Sequence, residues 1–507
     1  MALSFDTQTN ESQHGFVGMD WLQFCGHLGS HYPCFCEADE TRKLYANPAN
    51  LLENNLDRSW HIDPVGVIEM LAKSYMLGNR TLVQGLKLVP WMAKPNDKNG
   101  WQYCKVPSHG TINMPFNEIA KKLKDLLVAE TLQCLEGKKT VGILLSGGMD
   151  SRILAGIIKD IQLRKDFSGD IVAFTWGLKN TRDVVYAAKI AHEYKWQWVH
   201  LELSPELLER NIYITGELGA TFAPYHLHAM PAIRAREDLD AVIAGSYGDS
   251  VGRAEFSGKH VLSLRTVIPK KFNRLGLVRN HVVADFLSKI SQDAYEYRKN
   301  VKRSVDYQYY EIENQLHYMR RKLQPCMSYI AEKVPCYQIF THPETFGFMW
   351  SLDPKIRNDE VYKDLIALLP GKIAQIPWAK TGKPYLQNDK QEDEYCKHYH
   401  AYGVWLRQDL RKKVFSLVDS DTIRGLGLFN DAALDRLLKL WSTATTTTVN
   451  NVDEAIAWLA SLSVFAEKYK IKGYQNLAPL SLKDKFFSWK AYVRAYVYLK
   501  AREKFRD

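Results

Sequence analysis

Three runs of this chain, Val141-Gly142-Ile143-Leu144-Leu145, Ile171-Val172-Ala173-Phe174 and Ala241-Val242-Ile243-Ala244, are apolar on both faces. A strand of that kind must be covered on both sides, which is the condition of a parallel sheet flanked by helices. The intervening segments fit that demand. Helices are predicted over 116–136, 150–164, 183–195, 205–217 and 225–236, and strands over 139–145, 170–175, 197–203 and 240–244. The alternation predicts an α/β fold with a doubly wound, mostly parallel sheet. After about residue 260 the strand signal fades. Most of 280–507 is predicted helical, with long charged segments at 291–323 and 483–506 and a Thr-rich loop from Thr443 to Asn451. Residues 1 to about 110 read as a small irregular region. It holds a helix behind Asp63-Pro64, an N-cap followed by proline at the first helical position, and a β-like run at Leu86–Pro90.

The 507 residues suffice for roughly two to four domains. A formal charge of +10 suits anionic partners such as nucleotides, pyrophosphate or nucleic acid. The eight cysteines are scattered. Neither Cys34-Phe35-Cys36 nor Cys396-Lys397-His398-Tyr399-His400 has zinc-site spacing, so reduced thiols are expected rather than metal ligands. The first residues show neither the basic nor the apolar part of a secretory signal. No apolar stretch reaches the roughly 20 residues that span a bilayer. A soluble, cytoplasmic protein without a membrane partner is expected.

The first apolar run ends in Leu145-Ser146-Gly147-Gly148-Met149-Asp150-Ser151 and passes straight into a predicted helix. Glycines there let backbone N–H groups face an anion, and the helix N-terminus adds positive potential. Ser146 and Ser151 can donate to phosphate oxygens. A carboxylate at Asp150 would be repelled by phosphate unless it holds Mg²⁺ that bridges to the nucleotide. The Gly-x-x-x-x-Gly-Lys spacing of a Walker loop is absent.

Ser146, Gly147, Gly148, Asp150 and Ser151 supply all five fixed residues of Ser-Gly-Gly-x-Asp-Ser, so the chain resembles the PP-loop ATP pyrophosphatases. Three further segments resemble the asparagine synthetase-like branch, over about 115–390. Phe174-Thr175-Trp176-Gly177, followed by Asp183, is similar to the strand end that receives adenine. Gly245-Ser246-Tyr247-Gly248-Asp249 resembles the second phosphate and Mg²⁺ loop, and Pro377-Trp378-Ala379-Lys380-Thr381-Gly382 the Pro-x-x-Lys-x-Gly loop. The resemblance implies ATP and Mg²⁺ as cofactors. It implies pyrophosphate held by Leu145, Ser146, Gly147, Gly148 and Ser151, and nucleotide contacts from Thr175, Trp176, Gly177, Gly245, Ser246, Tyr247 and Gly248. Asp150 and Asp249 would be the metal ligands, and Lys380 would act on the adenylation transition state. The implied reaction is an ATP-dependent amide-bond synthesis. A substrate carboxylate, on a small molecule or a peptide, is adenylated with loss of pyrophosphate and then attacked by ammonia or an amine. The nitrogen could come from a separate amidotransferase.

The departures are informative. Position 2 is Ala where glutamine-dependent members expose a cysteine nucleophile, and only about 110 residues precede the synthetase region, so no glutamine hydrolysis is expected. The expected organisation is 1–112 as a reduced N-terminal region, 113–400 as the ATP-binding domain and 401–507 as a helical extension. Ring-forming relatives carry Tyr directly after the first Gly of the second loop, where this chain has Ser246 with Tyr247 one place later. Gln338-Ile339-Phe340-Thr341-His342 also departs from the family pattern. Two alternatives stay open: an RNA- or nucleobase-modifying PP-loop enzyme, and an intramolecular cyclase of the β-lactam or lasso-peptide type. His226 and His228 stand either near the acyl acceptor or in a packing role.

The last helix interleaves Lys483, Lys485, Lys490, Arg494, Lys500, Arg502, Lys504 and Arg506 with aromatic residues. The spacing of Tyr492, Tyr496 and Leu499 predicts one buried stripe, with the basic face in water.

Overall fold

The computed structural model describes residues 28–29, 32–39, 43–96, 100–256, 258–385, 394–475 and 481–505. Ala2, Cys25, Arg506 and the Lys483 side chain lie outside the described residues. Five strands form the central sheet: β1 (Thr140–Leu144), β2 (Asp170–Gly177), β3 (Gln197–Glu202), β4 (Ala241–Ala244) and β5 (Cys336–Gln338). Their order is β5-β4-β1-β2-β3, and every pairing is parallel.

The two-faced apolar strands are buried as expected. Val141 and Ile143, Ile171 and Ala173, and Ala241 and Ile243 share one core with helices α1 (Phe116–Leu135), α2 (Met149–Leu163) and α3 (Arg182–Glu193). Leu144, Val172, Phe174, Val242 and Ala244 face the opposite core, which Met230, Ile233, Met327 and Ile330 complete. Successive residues thus feed alternate layers, the arrangement a doubly wound sheet requires. From central β1 the chain moves outward to β2 and β3, then returns to place β4 on the other side. The loops after β1 and β4 therefore diverge and leave a crevice at the carboxyl ends of the strands.

A third core joins the N-terminal region to the C-terminal helices and to helix α4 (Pro205–Glu217): Leu51, Ile62 and Val67 pack with Ile212, Trp441 and Trp458. The Pro64–Lys73 helix starts as expected, with the Asp63 carboxylate accepting from the Val65 N–H at 2.9 Å. Among the described residues, no helix is long and apolar enough to cross a membrane.

Four expectations are corrected. The helix predicted over 225–236 is a short turn (Pro224–Leu227) and a short helix (Met230–Arg234). They are broken at His228, which has φ 45° and ψ −127°; Pro231 starts a helix rather than continuing one. The charged segment 291–323 is not one helix, because the helix Asn280–Tyr295 runs into a short 3-10 turn (Glu296–Lys299) and the next α-helix begins at Asp306. Arg303 ties the intervening chain down by donating to the Pro107 carbonyl (2.6 Å) and to His109 Nδ1 (3.0 Å). The strand signal does not end at 260, since β5 forms from three residues at the sheet edge. Finally, the C-terminal helix Leu482–Phe505 buries Leu499 and half-buries Tyr492 as expected, but Tyr496 points outward and smaller residues complete the inward stripe. Asp484, Ser488, Ala491, Ala495 and Leu499 face inward, while Tyr496 is 46% exposed, Trp489 57% and Phe486 60%. Small and polar side chains allow a close approach that the aromatic stripe would prevent. Asp484 accepts from the Asn280 N–H (2.7 Å) and Ser488 from Arg436 (2.9 Å).

Candidate active site

The turn after β1 is braced by its own hydroxyls. Ser151 Oγ accepts from the Ser146 N–H (3.1 Å) and lies 3.0 Å from Ser146 Oγ, which accepts from the Gly148 N–H (3.1 Å). Gly148 caps α2 without a side-chain acceptor. Leu145 is buried, and its carbonyl accepts from the Thr175 hydroxyl at 2.9 Å, so Thr175 fixes the base of the turn. A Cβ on Gly147 would lie 2.9 Å from Ala379 Cβ and 3.1 Å from the Arg182 carbonyl, so the glycine permits the turn to be packed from both sides.

Arg152, which follows Ser151, is fully buried and donates to the carbonyls of Gly147, Ile373, Ile376 and Pro377. It therefore fastens the lysine loop to the turn after β1. Arg152→Met leaves these carbonyls without their donor and is expected to lower unfolding stability by about 3 kcal/mol. Denaturant titration of the variant checks this.

The turn after β4 lies directly against the first. A Cβ on Gly245 would stand 2.9 Å from the Asp150 carbonyl, and one on Gly248 would stand 2.5 Å from Asp150 Cγ. Tyr362 holds this turn by donating to the Gly248 carbonyl at 2.7 Å, and Gln338 Oε1 accepts from the Ser246 N–H at 3.3 Å. Gln338 belongs to the 338–342 segment that departs from the family pattern. That segment is itself held by the buried Glu130, which accepts from the Thr341 and His342 N–H groups (both 2.9 Å) and from Thr345 (2.8 Å). Tyr247 turns inward, its ring buried and its hydroxyl donating to the Leu28 carbonyl at 3.4 Å.

Asp150 and Asp249 come together where the two turns meet. Burial holds both carboxyls above the ordinary carboxylate range, and the Asp150 charge adds to the effect on Asp249. Asp150 Oδ1 is shielded from solvent and accepts no hydrogen bond. Two recessed carboxylates, one with an oxygen that accepts no hydrogen bond and faces Arg253 only at 4.0 Å, suit a divalent cation, and Mg²⁺ needs only one or two carboxylates when phosphates complete its shell. Among the described residues no group of three His, Cys, Asp or Glu gathers as a metal cage. Gly248→Ala would displace Asp150 and is expected to lower ATP turnover about tenfold with the fold intact, as steady-state kinetics would show.

Arg253, four residues beyond Asp249, is a site residue that the motifs did not reveal. Its Nη1 lies 2.7 Å from Asp359 and 3.5 Å from Glu255, and its Nε lies 4.0 Å from Asp150. Lys380 closes the same group. The loop folds back through the Trp378 N–H donating to the Lys383 carbonyl (2.9 Å). It rests on the first turn through the Ala379 N–H donating to Gly147 (3.1 Å). Lys380 Nζ pairs with Glu255 at 3.2 Å, lies 5.0 Å from the Trp378 ring centroid and is 53% exposed.

At the end of β2, Trp176 is half-buried and stacks on His228 with ring centroids 5.6 Å apart. His228 Nδ1 shares a hydrogen bond with Tyr402 at 2.9 Å, and His400 stacks on Tyr402 at 4.4 Å. Burial lowers the imidazoles of His226, His228 and His400, the last to about 4, so all three are neutral. Gly177 gives its carbonyl to His200 (2.9 Å). Asp183, at the start of α3, takes the Gly147 N–H, and burial pushes its carboxyl up to about 6. Tyr399, His400 and Tyr402 reach this corner from far along the chain, which no local spacing could signal. Cys34 and Cys36 are buried on a strand paired with Leu86–Leu88.

Residues 122–329 match the family model described as asparagine synthase. The matched segment contains the Ser146 and Gly245 turns, and Lys380 lies beyond it. No curated protein matches the chain. Among solved structures, NMN synthetase from Francisella tularensis aligns at 16% identity over 28% of this chain and 58% of that one, with a TM-score of 0.20. A U34-tRNA thiolase from Methanococcus maripaludis aligns at 20% identity over 31% of this chain and 51% of that one, TM-score 0.21. The NH3-dependent NAD synthetase from Campylobacter jejuni aligns at 14% identity over 40% of this chain and 94% of that one, TM-score 0.22. The chain thus spans less than two-thirds of the first two.

Proposed function

We propose that the chain, whose residues 122–329 match the asparagine synthase family model, is an ATP-dependent carbon–nitrogen ligase that activates a substrate carboxylate as its adenylate. The family match supports an ATP-dependent ligase in general. The identity of the activated group and of the nitrogen donor belongs to this proposal.

The observation that carries the reading is the junction of the two turns. Asp150 of the first fits against Gly248 of the second, with Asp249 beside it and an Asp150 oxygen that accepts no hydrogen bond. Ser146, Ser151 and the free N-terminus of α2 would receive the pyrophosphate part of ATP. Mg²⁺ held by Asp150 and Asp249 would screen the phosphate charges when bound. The substrate carboxylate oxygen forms a bond to the α-phosphorus, the bond from that phosphorus to the bridging oxygen breaks, and pyrophosphate leaves. Lys380, released from Glu255 by the stronger phosphate charge, opposes the negative charge that grows on the phosphoryl oxygens. An amine then attacks the acyl carbon and AMP departs. The Tyr247 hydroxyl is bonded inside the protein, so the second loop offers no phenol as the base for that step. A neutral imidazole at the Trp176 corner is in the form that can accept the proton. The amine would be ammonia or a donor supplied by a separate amidotransferase, in the cytoplasm where ATP is abundant.

The test is incubation of the full chain with Mg·ATP, ammonium and pooled small carboxylic acids. The expected products are AMP and pyrophosphate in equal amounts, dependent on a carboxylate. Release of ADP and phosphate would overturn the proposal.

A further inference from the structure

A cavity of about 520 Å³ lies between the end of the Pro64–Lys73 helix, the 271–275 loop, the start of the Asn451–Lys468 helix and the C-terminal helix. Its lining residues include none from the Ser146, Gly245 or Lys380 loops. Its size is ordinary for a small-molecule site, but its charge is not. Lys73, Lys271, Arg274, Lys322 and Arg494 all line it, against the single carboxylate of Glu454. That carboxylate is already paired with Lys322 at 2.8 Å, and the neutral His226 ring stands 3.9 Å from it. Lys73, Lys271, Arg274 and Arg494 form no ion pair among the described residues.

The geometry grades from inside to outside. Lys73 and Lys322 are half-buried, whereas Lys271, Arg274 and Arg494 are exposed at the rim. The first turn of the 18-residue helix Asn451–Lys468 also borders the space, but its N–H groups are capped by Asn450 and the cations, not the helix end, carry the positive charge. Burial, then the neighbouring charges of Arg274 and Lys322, lower the Lys73 ammonium to about 8. Cations gathered around a concave space without matching carboxylates repel one another, and an oxyanion removes that repulsion.

We propose that this cavity binds the oxyanion group, phosphate or carboxylate, of a small molecule, with Lys73 and Lys322 as its inner ligands and Arg274 and Arg494 as its rim. The site is separate from the nucleotide crevice and does not depend on the reaction assigned there. The wall between the two carries Glu454 and His226, the neighbour of His228.

Pyridoxal 5′-phosphate is a direct probe, because it joins a phosphate to an aldehyde. The uncharged Lys73 amine adds to the aldehyde, water leaves, and borohydride reduces the imine to a stable amine that peptide mass spectrometry locates. On the full chain at pH 8, Lys73 is expected to label at least about tenfold faster than the exposed Lys165, whose amine lies outside the cavity. Inorganic phosphate or citrate should suppress that labelling, and whichever acts at lower concentration identifies the preferred oxyanion. In the Arg274→Gln/Arg494→Gln double variant, which alters only exposed rim side chains, protection should weaken at least about tenfold without a change in melting temperature. Labelling of Lys73 no faster than Lys165, failure of both anions to protect, or protection undiminished in the double variant would each overturn the proposal.

Discussion

Asp150→Asn is expected to lower Mg²⁺-dependent release of pyrophosphate from ATP by about 10³-fold or more, and Asp249→Asn by a similar factor. The two carboxylates come from different turns, yet they meet at one point in the crevice. Removing either charge takes away one of the two carboxylates that would hold the cation. The size of the loss follows from the several kcal/mol that a correctly held metal contributes to a charged transition state. The fold should not suffer. Burial raises both carboxyls, so their protonated forms suit the folded chain better, and ionisation reduces stability as the pH rises through the raised values. Asn cannot ionise. Metal-free Asp249→Asn should therefore melt no lower than the parent chain at pH 8, which separates loss of metal binding from loss of structure. A melting temperature several degrees lower would contradict the assignment.

Lys380→Ala is expected to reduce kcat by about 10²–10³ with a much smaller change in ATP affinity. The ground-state partner of this lysine is Glu255, and its side chain is half exposed at the mouth of the crevice. A phosphate in the ground state must compete with Glu255, whereas a transition state with more charge on its oxygens draws the ammonium away. Glu255→Gln should act in the opposite sense on binding, tightening ATP by freeing Lys380. Equal losses in ATP affinity and turnover for Lys380→Ala would make the lysine a ground-state ligand only.

The parts of the fold and site that local sequence specifies were legible. Two-faced apolar runs place β1, β2 and β4, and the glycine-rich strings that end them mark the turns at the sheet's carboxyl edge. Residues whose role depends on distant contacts were not. Arg152 reads as an ordinary basic residue of an amphipathic helix, and only the folded chain brings the Ile373, Ile376 and Pro377 carbonyls onto it. Arg253 has no motif, and its place is set by Asp359 and Glu255. The corner around Trp176 draws Tyr399, His400 and Tyr402 from beyond 390. The C-terminal helix is a case of a correct period with the inward face rotated, so that Leu499 and part of Tyr492 are covered and Tyr496 is not. Helical spacing allows either the aromatic stripe or the stripe of Asp484, Ser488, Ala491, Ala495 and Leu499 to point inward. Specific bonds to Asn280 and Arg436 decide for the second.

The central claim is that a carboxylate oxygen attacks the α-phosphorus of ATP, and oxygen transfer tests it most directly. Once the pooled-acid assay has identified a substrate, that acid is supplied with ¹⁸O in both carboxyl oxygens, and the AMP formed in unlabelled water is analysed by mass spectrometry. The adenylation account predicts one ¹⁸O in each AMP, because the bond between the carboxyl oxygen and phosphorus survives when the amine displaces AMP from the acyl carbon. AMP free of label would mean that some other oxygen attacks phosphorus, and it would contradict the account.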